Sequence, residues 1–241
     1  LAHMSVGHIT WGGYFLFIWF LILVVKLLEG DHSWRWIIGM ALLLFVTLLQ
    51  GSFHQFILES WFLALLFLVA WKHWRPLLLS VLFAALFSMV RVLPISLSFG
   101  NFDTGFLGGY PSILNMFQSL VFNTYPKIAL PFRIFDSPLG FWEFDLYIGK
   151  IGFLFVLLGV VLWFWSQIKE RKFSPLLLPM AVITILSIGN LYLPLSKLPI
   201  AIFNSGRVTS RYFILPMIFV FVLSAKSMQN LLNVTRYKVV E

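Results

Sequence analysis

Two arginines four residues apart, Arg207 and Arg211, are the side chains in this sequence best suited to holding an anion. On a helix that spacing puts both on one face, and guanidinium forks match the oxygens of a phosphate. Ser205, Thr209 and Ser210 add hydroxyl donors, and a helix N-terminus adds backbone N–H groups and a favourable dipole. A lipid headgroup phosphate, or the phosphate of a polyprenyl carrier, is the ligand that this chemistry fits. The plainer reading is two arginines snorkelling to a membrane interface. Glu59 and Arg91 form a second candidate pair, each inside an apolar run. A lone charge at such depth costs roughly 2.5–3.5 kcal/mol, so the two are expected to neutralise each other. They would then either fix helix packing as an ion pair or line a water-filled cavity together with His8 and His54. His3 and His8 lack helical metal spacing, and no zinc signature, phosphate-binding loop, Gly-x-Gly-x-x-Gly turn or Gly-x-Ser-x-Gly elbow occurs. No metal ligand and no catalytic residue can be assigned from these motifs.

The elements that must position these groups are membrane helices. Of 241 residues 60% are hydrophobic and only 11% charged, against roughly 25% charged in a soluble domain. An all-α polytopic bundle forming a single integral membrane domain is therefore expected over residues 1–241. Spans are predicted near 9–25, 36–49, 53–71, 77–94, 148–165, 176–193 and 212–225, making seven. The net charge of +8 sits in short basic clusters beside apolar runs, which is how cytoplasmic loops look and excludes nucleic acid as the expected partner. Absence of cysteine removes disulfides and thiol chemistry.

Between the fourth and fifth spans, residues 96–145 hold no apolar run long enough to cross a bilayer. This loop carries Asp103, Asp136, Glu143 and Asp145, four of nine acidic residues, with Gly100, Gly105, Gly108 and Gly109. Within it, Ile113, Leu114, Met116, Phe117, Leu120 and Val121 follow helical spacing after Ser112, a plausible N-cap. The helix expected there either lies on the membrane surface or packs on the rest of the loop. Lys26, Arg35, Lys72, Arg75, Lys169, Arg171, Lys172, Lys226, Arg236 and Lys238 crowd the short loops and tail of one face. By the positive-inside rule that face is cytoplasmic, which puts the N-terminus and the long loop outside the plasma membrane.

Four short motifs recur in order: Gly7-His8, Gln50-Gly51-Ser52-Phe53-His54, Arg91-Val92-Leu93-Pro94, and Arg207-Val208-Thr209-Ser210-Arg211-Tyr212-Phe213. Together they resemble the GT-C superfamily of membrane glycosyltransferases, in a branch whose members are mostly uncharacterised. The last motif usually has proline where this chain has Thr209. The resemblance implies transfer of a sugar from a polyprenyl-phosphate donor on the extracytoplasmic face, with a divalent cation possible in a complete enzyme. It also implies a catalytic carboxylate in the first outer loop, which has no counterpart here, so this chain reads as the C-terminal portion of such an enzyme. The alternatives are a non-catalytic lipid or polymer transporter, an assembly subunit, or an inactive fragment. The oligomeric state is not written in the sequence.

Overall fold

The computed structural model describes residues 13–98, 105–122, 143–144, 146–171, 173–198, 203 and 206–240. The described residues are helical and contain no strand; two isolated parallel bridges, Gly108 with Val208 and Tyr110 with Ile188, are the only β pairing among them. In chain order the helices are α1 Leu16–Leu28, α2 Trp34–Leu49, α3 Phe53–Val69, α4 Trp74–Ser98, α5 Ile113–Val121, α6 Gly149–Glu170, α7 Leu177–Leu186, α8 Gly189–Ser196 and α9 Ile214–Val240. Short 3-10 turns at Trp71–His73 and Thr209–Phe213 lead into α4 and α9.

Among the described residues three helical stretches are long and apolar enough to cross a membrane: Trp71–Pro94, Gly149–Glu170 and Thr209–Asn233. A helix rises 1.5 Å per residue and a bilayer core needs about 20 residues. The runs expected as spans one, two and three form helices of 13, 16 and 17 residues. The run 176–193 is not one helix: it breaks at Ser187 and Ile188 into α7 and α8. The run 212–225, by contrast, begins in the 3-10 turn Thr209–Phe213 and continues unbroken in the 27-residue α9.

The described residues divide into two compact units, each built from two stretches of chain. The first takes residues from Leu1–Phe106 and Pro194–Arg207. Its α1 buries Leu16, Phe17, Phe20, Leu21, Val24 and Leu27 on one stripe and exposes Phe15, Ile18, Trp19 and Ile22 on the other. A helix apolar all round belongs in a core or a membrane. Ser33 caps α2 by accepting from the Trp36 N–H at 3.2 Å, and the Trp36 ring N–H reaches back to the Leu23 carbonyl at 2.6 Å. Gly51, at φ +93, supplies the left-handed turn that reverses the chain between α2 and α3. On α4 the buried positions are Leu77, Ser80, Ala84 and Ser88, while Leu78, Leu82, Leu86, Met89 and Val90 face outward. Small residues at four-residue spacing let α4 pack closely on α2.

The second unit takes residues from Leu107–Leu193 and Val208–Glu241. Its main helix pair is α6 with α9. They touch so closely at Gly159 that a Cβ there would lie 2.3 Å from the Ser224 Cβ and 2.5 Å from its Cα. The Ser224 hydroxyl donates to the Val156 carbonyl at 3.2 Å across the same contact. Away from α9, α6 presents Ile151, Leu154, Leu158, Val161, Trp165 and Ile168 to the surroundings. Helix α5 is capped by Ser112, whose hydroxyl oxygen accepts the Asn115 N–H at 3.2 Å. It buries Met116 and Leu120 against Tyr110, Phe144 and Phe213, and leaves Ile113, Leu114 and Phe117 exposed.

Replacing Gly159 by leucine should separate α6 from α9 and destabilise the protein by about 1–3 kcal/mol or more. A thermal melt of the detergent-solubilised variant checks this; an unchanged midpoint would mean that the helices do not meet at that glycine.

Candidate functional site

The chemistry-bearing residues of the second unit converge on one knot of irregular backbone. The Tyr110 N–H donates to the Ser187 carbonyl at 3.0 Å, and the Gly189 N–H returns a bond to the Tyr110 carbonyl at 3.0 Å. This exchange is why the run 176–193 breaks, because groups that would continue the helix are bonded to another segment instead. Alongside, the Thr209 N–H donates to the Gly108 carbonyl at 2.9 Å. A Cβ on Gly109 would lie 2.1 Å from the Thr209 hydroxyl oxygen and 2.6 Å from the Ser187 carbonyl; one on Gly189 would lie 2.6 Å from the Gly109 nitrogen. Only glycines let the three strands of chain approach this closely.

Glu143 and Arg211 are held against this knot. The Arg211 Nε donates to Glu143 Oε2 at 2.7 Å and its Nη2 to Oε1 at 2.5 Å, a bidentate fork. The carboxylate side chain is 6% exposed and the guanidinium 20%. The Ser210 hydroxyl donates to the Glu143 carbonyl at 2.6 Å, fixing the acid's backbone as well. The Tyr110 hydroxyl donates to the Phe144 carbonyl at 3.4 Å, beneath the rings of Tyr110, Phe144 and Phe213. This is a rigid, paired site in which Arg211 is already engaged with an anion of the protein's own.

The premise of a shared helical face for Arg207 and Arg211 does not hold. Val208 is extended (φ −129, ψ 101) and bridges to Gly108, and Thr209–Phe213 is a 3-10 turn. Thr209 and Ser210 are buried, their hydroxyls spent on the Ser187, Gly108 and Glu143 carbonyls. Arg207 is exposed. The reason is tertiary: backbone pairing with the 108–110 segment takes the N–H groups that a helix start would have left open.

The expected Glu59–Arg91 ion pair is likewise not formed. The Arg91 Nη1 donates to the Leu49 carbonyl at the C-terminal end of α2, where a cation satisfies an orphan acceptor and opposes the negative end of the helix dipole. Glu59 is fully buried on α3, and neither of its carboxyl oxygens has a hydrogen-bond partner within normal distance among the described residues. Among the described residues Arg211–Glu143 is the only ion pair. His54 is half-buried beside Tyr14, with its Nε2 3.4 Å from the phenolic oxygen and the rings edge to face. His8, Asp103, Asp136 and Asp145 lie outside the described residues. Among the described residues no group of three or more His, Cys, Asp or Glu side chains could hold a metal ion, so no step is derived through the divalent cation that the resemblance allows.

The sequence reading singled out both Glu143 and Arg211 but could not join them across 68 residues. It missed Ser187 and Gly189 altogether. The available signal was a serine and a glycine interrupting an apolar run that would otherwise reach from 176 to 193.

Comparison with family models, with curated proteins and with solved structures finds no match to this chain.

Two double-mutant cycles test the pairing. Glu143→Gln or Arg211→Met alone should cost about 3 kcal/mol, the low end for breaking a buried pair because the guanidinium is partly solvated. The double variant should lose less than the sum of the two. Glu59→Gln and Arg91→Ala should instead add to within about 0.5 kcal/mol; a coupling energy above that would mean the two charges meet after all.

Proposed function

We propose that this chain is part of a GT-C-like membrane glycosyltransferase that uses a polyprenyl-phosphate-linked sugar on the extracytoplasmic face of the plasma membrane. In this reading the seven apolar runs traverse or enter the bilayer, the shorter ones as tilted or re-entrant helices. Residues 96–145 lie outside, and α5 rests its exposed Ile113, Leu114 and Phe117 in the membrane interface.

The observation that carries the proposal is the way Arg207-Val208-Thr209-Ser210-Arg211 is used. Its hydroxyls and Arg211 lock the segment onto Gly108, Glu143 and Ser187, while Arg207 keeps an exposed guanidinium. Arg207 is the residue assigned to the carrier phosphate. Arg211 is reassigned from phosphate ligand to positioning residue, acting through Glu143. Transfer of a sugar needs stabilisation of the departing phosphate and a general base. Arg207 would supply the first. Glu143, held by both arms of the Arg211 fork, does not suit the second.

That last fact favours a second reading, a non-catalytic lipid or polymer transporter or an assembly subunit. The discontinuous pair α7 and α8 points the same way, since broken helices with their backbone groups bonded elsewhere recur in transporters.

Reconstituted protein should bind a polyprenyl phosphate, and Arg207→Ala should weaken that binding by about 1.5–3 kcal/mol, the range for a charged hydrogen bond. Unchanged binding makes Arg207 an interface anchor and removes the donor-phosphate role. Movement of labelled lipid without sugar transfer selects the second reading. Placement of a label at Asn101 on the cytoplasmic side would overturn both.

A further inference from the structure

At the end of the first unit where α1 closes and α2 opens, two histidines meet that neither reading above uses. His32 Nε2 and His73 Nδ1 lie 2.6 Å apart, with the rings edge to face at a centroid distance of 4.9 Å. Each projects from a short connection whose backbone is fixed. Gly30, at φ +101, turns the chain after α1, and the Asp31 carboxylate accepts the Ser33 N–H at 3.0 Å, so His32 stands between two anchored residues. His73 closes the 3-10 turn Trp71–His73, its N–H donating to the Ala70 carbonyl at 2.8 Å. The bond between the imidazoles therefore ties the α1–α2 connection to the α3–α4 connection, 41 residues away in sequence.

Two neutral imidazoles carry one N–H each. One facing nitrogen donates its hydrogen and the other accepts it with a lone pair; the accepting ring keeps its own N–H on the far side. A first added proton goes to the far nitrogen of the donating ring, and the bond becomes charge-assisted and stronger. A second has only the accepting lone pair to bind, and binding there removes the bond and leaves two cations facing each other. The charged groups on the surrounding elements are Lys26 and Glu29 at the end of α1, Asp31 beside His32, Arg35 in the first turn of α2, Lys72 beside His73 and Arg75 in the first turn of α4. Lys72 acts on His73 against further positive charge, and Asp31 acts on His32 in its favour. Arg75 is turned onto the Trp74 ring, 5.4 Å from its centroid. Imidazoles also suit transition metals, but no third His, Cys, Asp or Glu joins these two in a group able to hold a metal ion among the described residues. The ligand that the pair fits is a proton.

We propose that the His32–His73 pair is a proton-operated latch between the two connections at this end of the first unit, closed while one facing nitrogen keeps its lone pair and open once both imidazoles are protonated. The open pair takes its second proton with the ordinary affinity of histidine, at about pH 6.5. The closed pair cannot take it without breaking. Linkage then gives the sign: closure is favoured at high pH, and each unit below the open pair's midpoint shifts the equilibrium about tenfold towards the open form. The latch shares no residue with the Glu143–Arg211 pair and does not depend on sugar transfer.

The chain has no cysteine of its own, so nitroxide labels can be placed on Trp34→Cys and Trp71→Cys, two exposed positions flanking the pair, in the full chain in lipid nanodiscs. The spin–spin distance should be narrowly distributed at about pH 8 and should broaden and lengthen reversibly at about pH 5. With His32→Ala or His73→Ala added, the distribution should be broad at both. Nitrogen-15 NMR of labelled histidine, assigned through the same two variants, supplies a second reading. The intact pair should take up its two protons in steps more than about one pH unit apart, and either alanine variant should return the remaining ring to a single step at about pH 6.5. A distance distribution that is the same at both pH values, a pH response that survives in the alanine variants, or two rings that titrate independently overturns the proposal.

Discussion

Everything in the second unit rests on one constraint: backbone N–H and C=O groups that leave a helix inside an apolar fold must find partners there. The chain leaves α-helical geometry at 108–110, at Ser187 and Ile188 and at Val208, and the three departures satisfy one another through Tyr110, Ser187, Gly189 and Thr209. Glycine at 109 and 189 is what allows the approach, since a Cβ at either would sit within about 3 Å of backbone atoms of the neighbouring strand. Each irregularity would be costly alone. Together they make a small, closed hydrogen-bonded knot.

That knot sets the charged chemistry. Because Ser210 is tied to the Glu143 carbonyl, the turn that follows Val208 delivers Arg211 to the Glu143 carboxylate in a two-bond fork. A guanidinium in a largely apolar setting is stabilised by such a partner and becomes less available to an incoming phosphate. Its neighbour Arg207 is exposed and has no ion-pair partner among the described residues. Two arginines that look equivalent in the sequence thus have opposite situations, one inward and paired, one outward and solvated.

Glu59 and Arg91 resolve the cost of charge in apolar runs by different means. Arg91 has a long side chain and reaches the carbonyl end of α2, where the helix itself supplies the negative pole. Glu59, with a shorter side chain on the packed face of α3, is fully buried near Thr47, with no charged side chain beside it among the described residues.

Composition and hydropathy pointed to a helical chain with stretches long and apolar enough to cross a membrane, because a sequence so poor in charge has little with which to cover a soluble surface. Periodicity and capping chemistry located α5 through Ser112, since both depend on neighbours within four residues. The sequence could not reveal which charges meet. Glu143 and Arg211 are brought together by backbone pairing among distant segments, and Arg91 is drawn from Glu59 by a helix end that exists only once α2 has formed and packed. Nor could hydropathy foresee the break in 176–193: it sums side-chain preferences, whereas the break arises where main-chain groups of Ser187 and Gly189 bond to Tyr110. Local patterns dictated the helices; only long-range hydrogen bonding, indifferent to side-chain hydropathy, decided where they stop and which ions they pair.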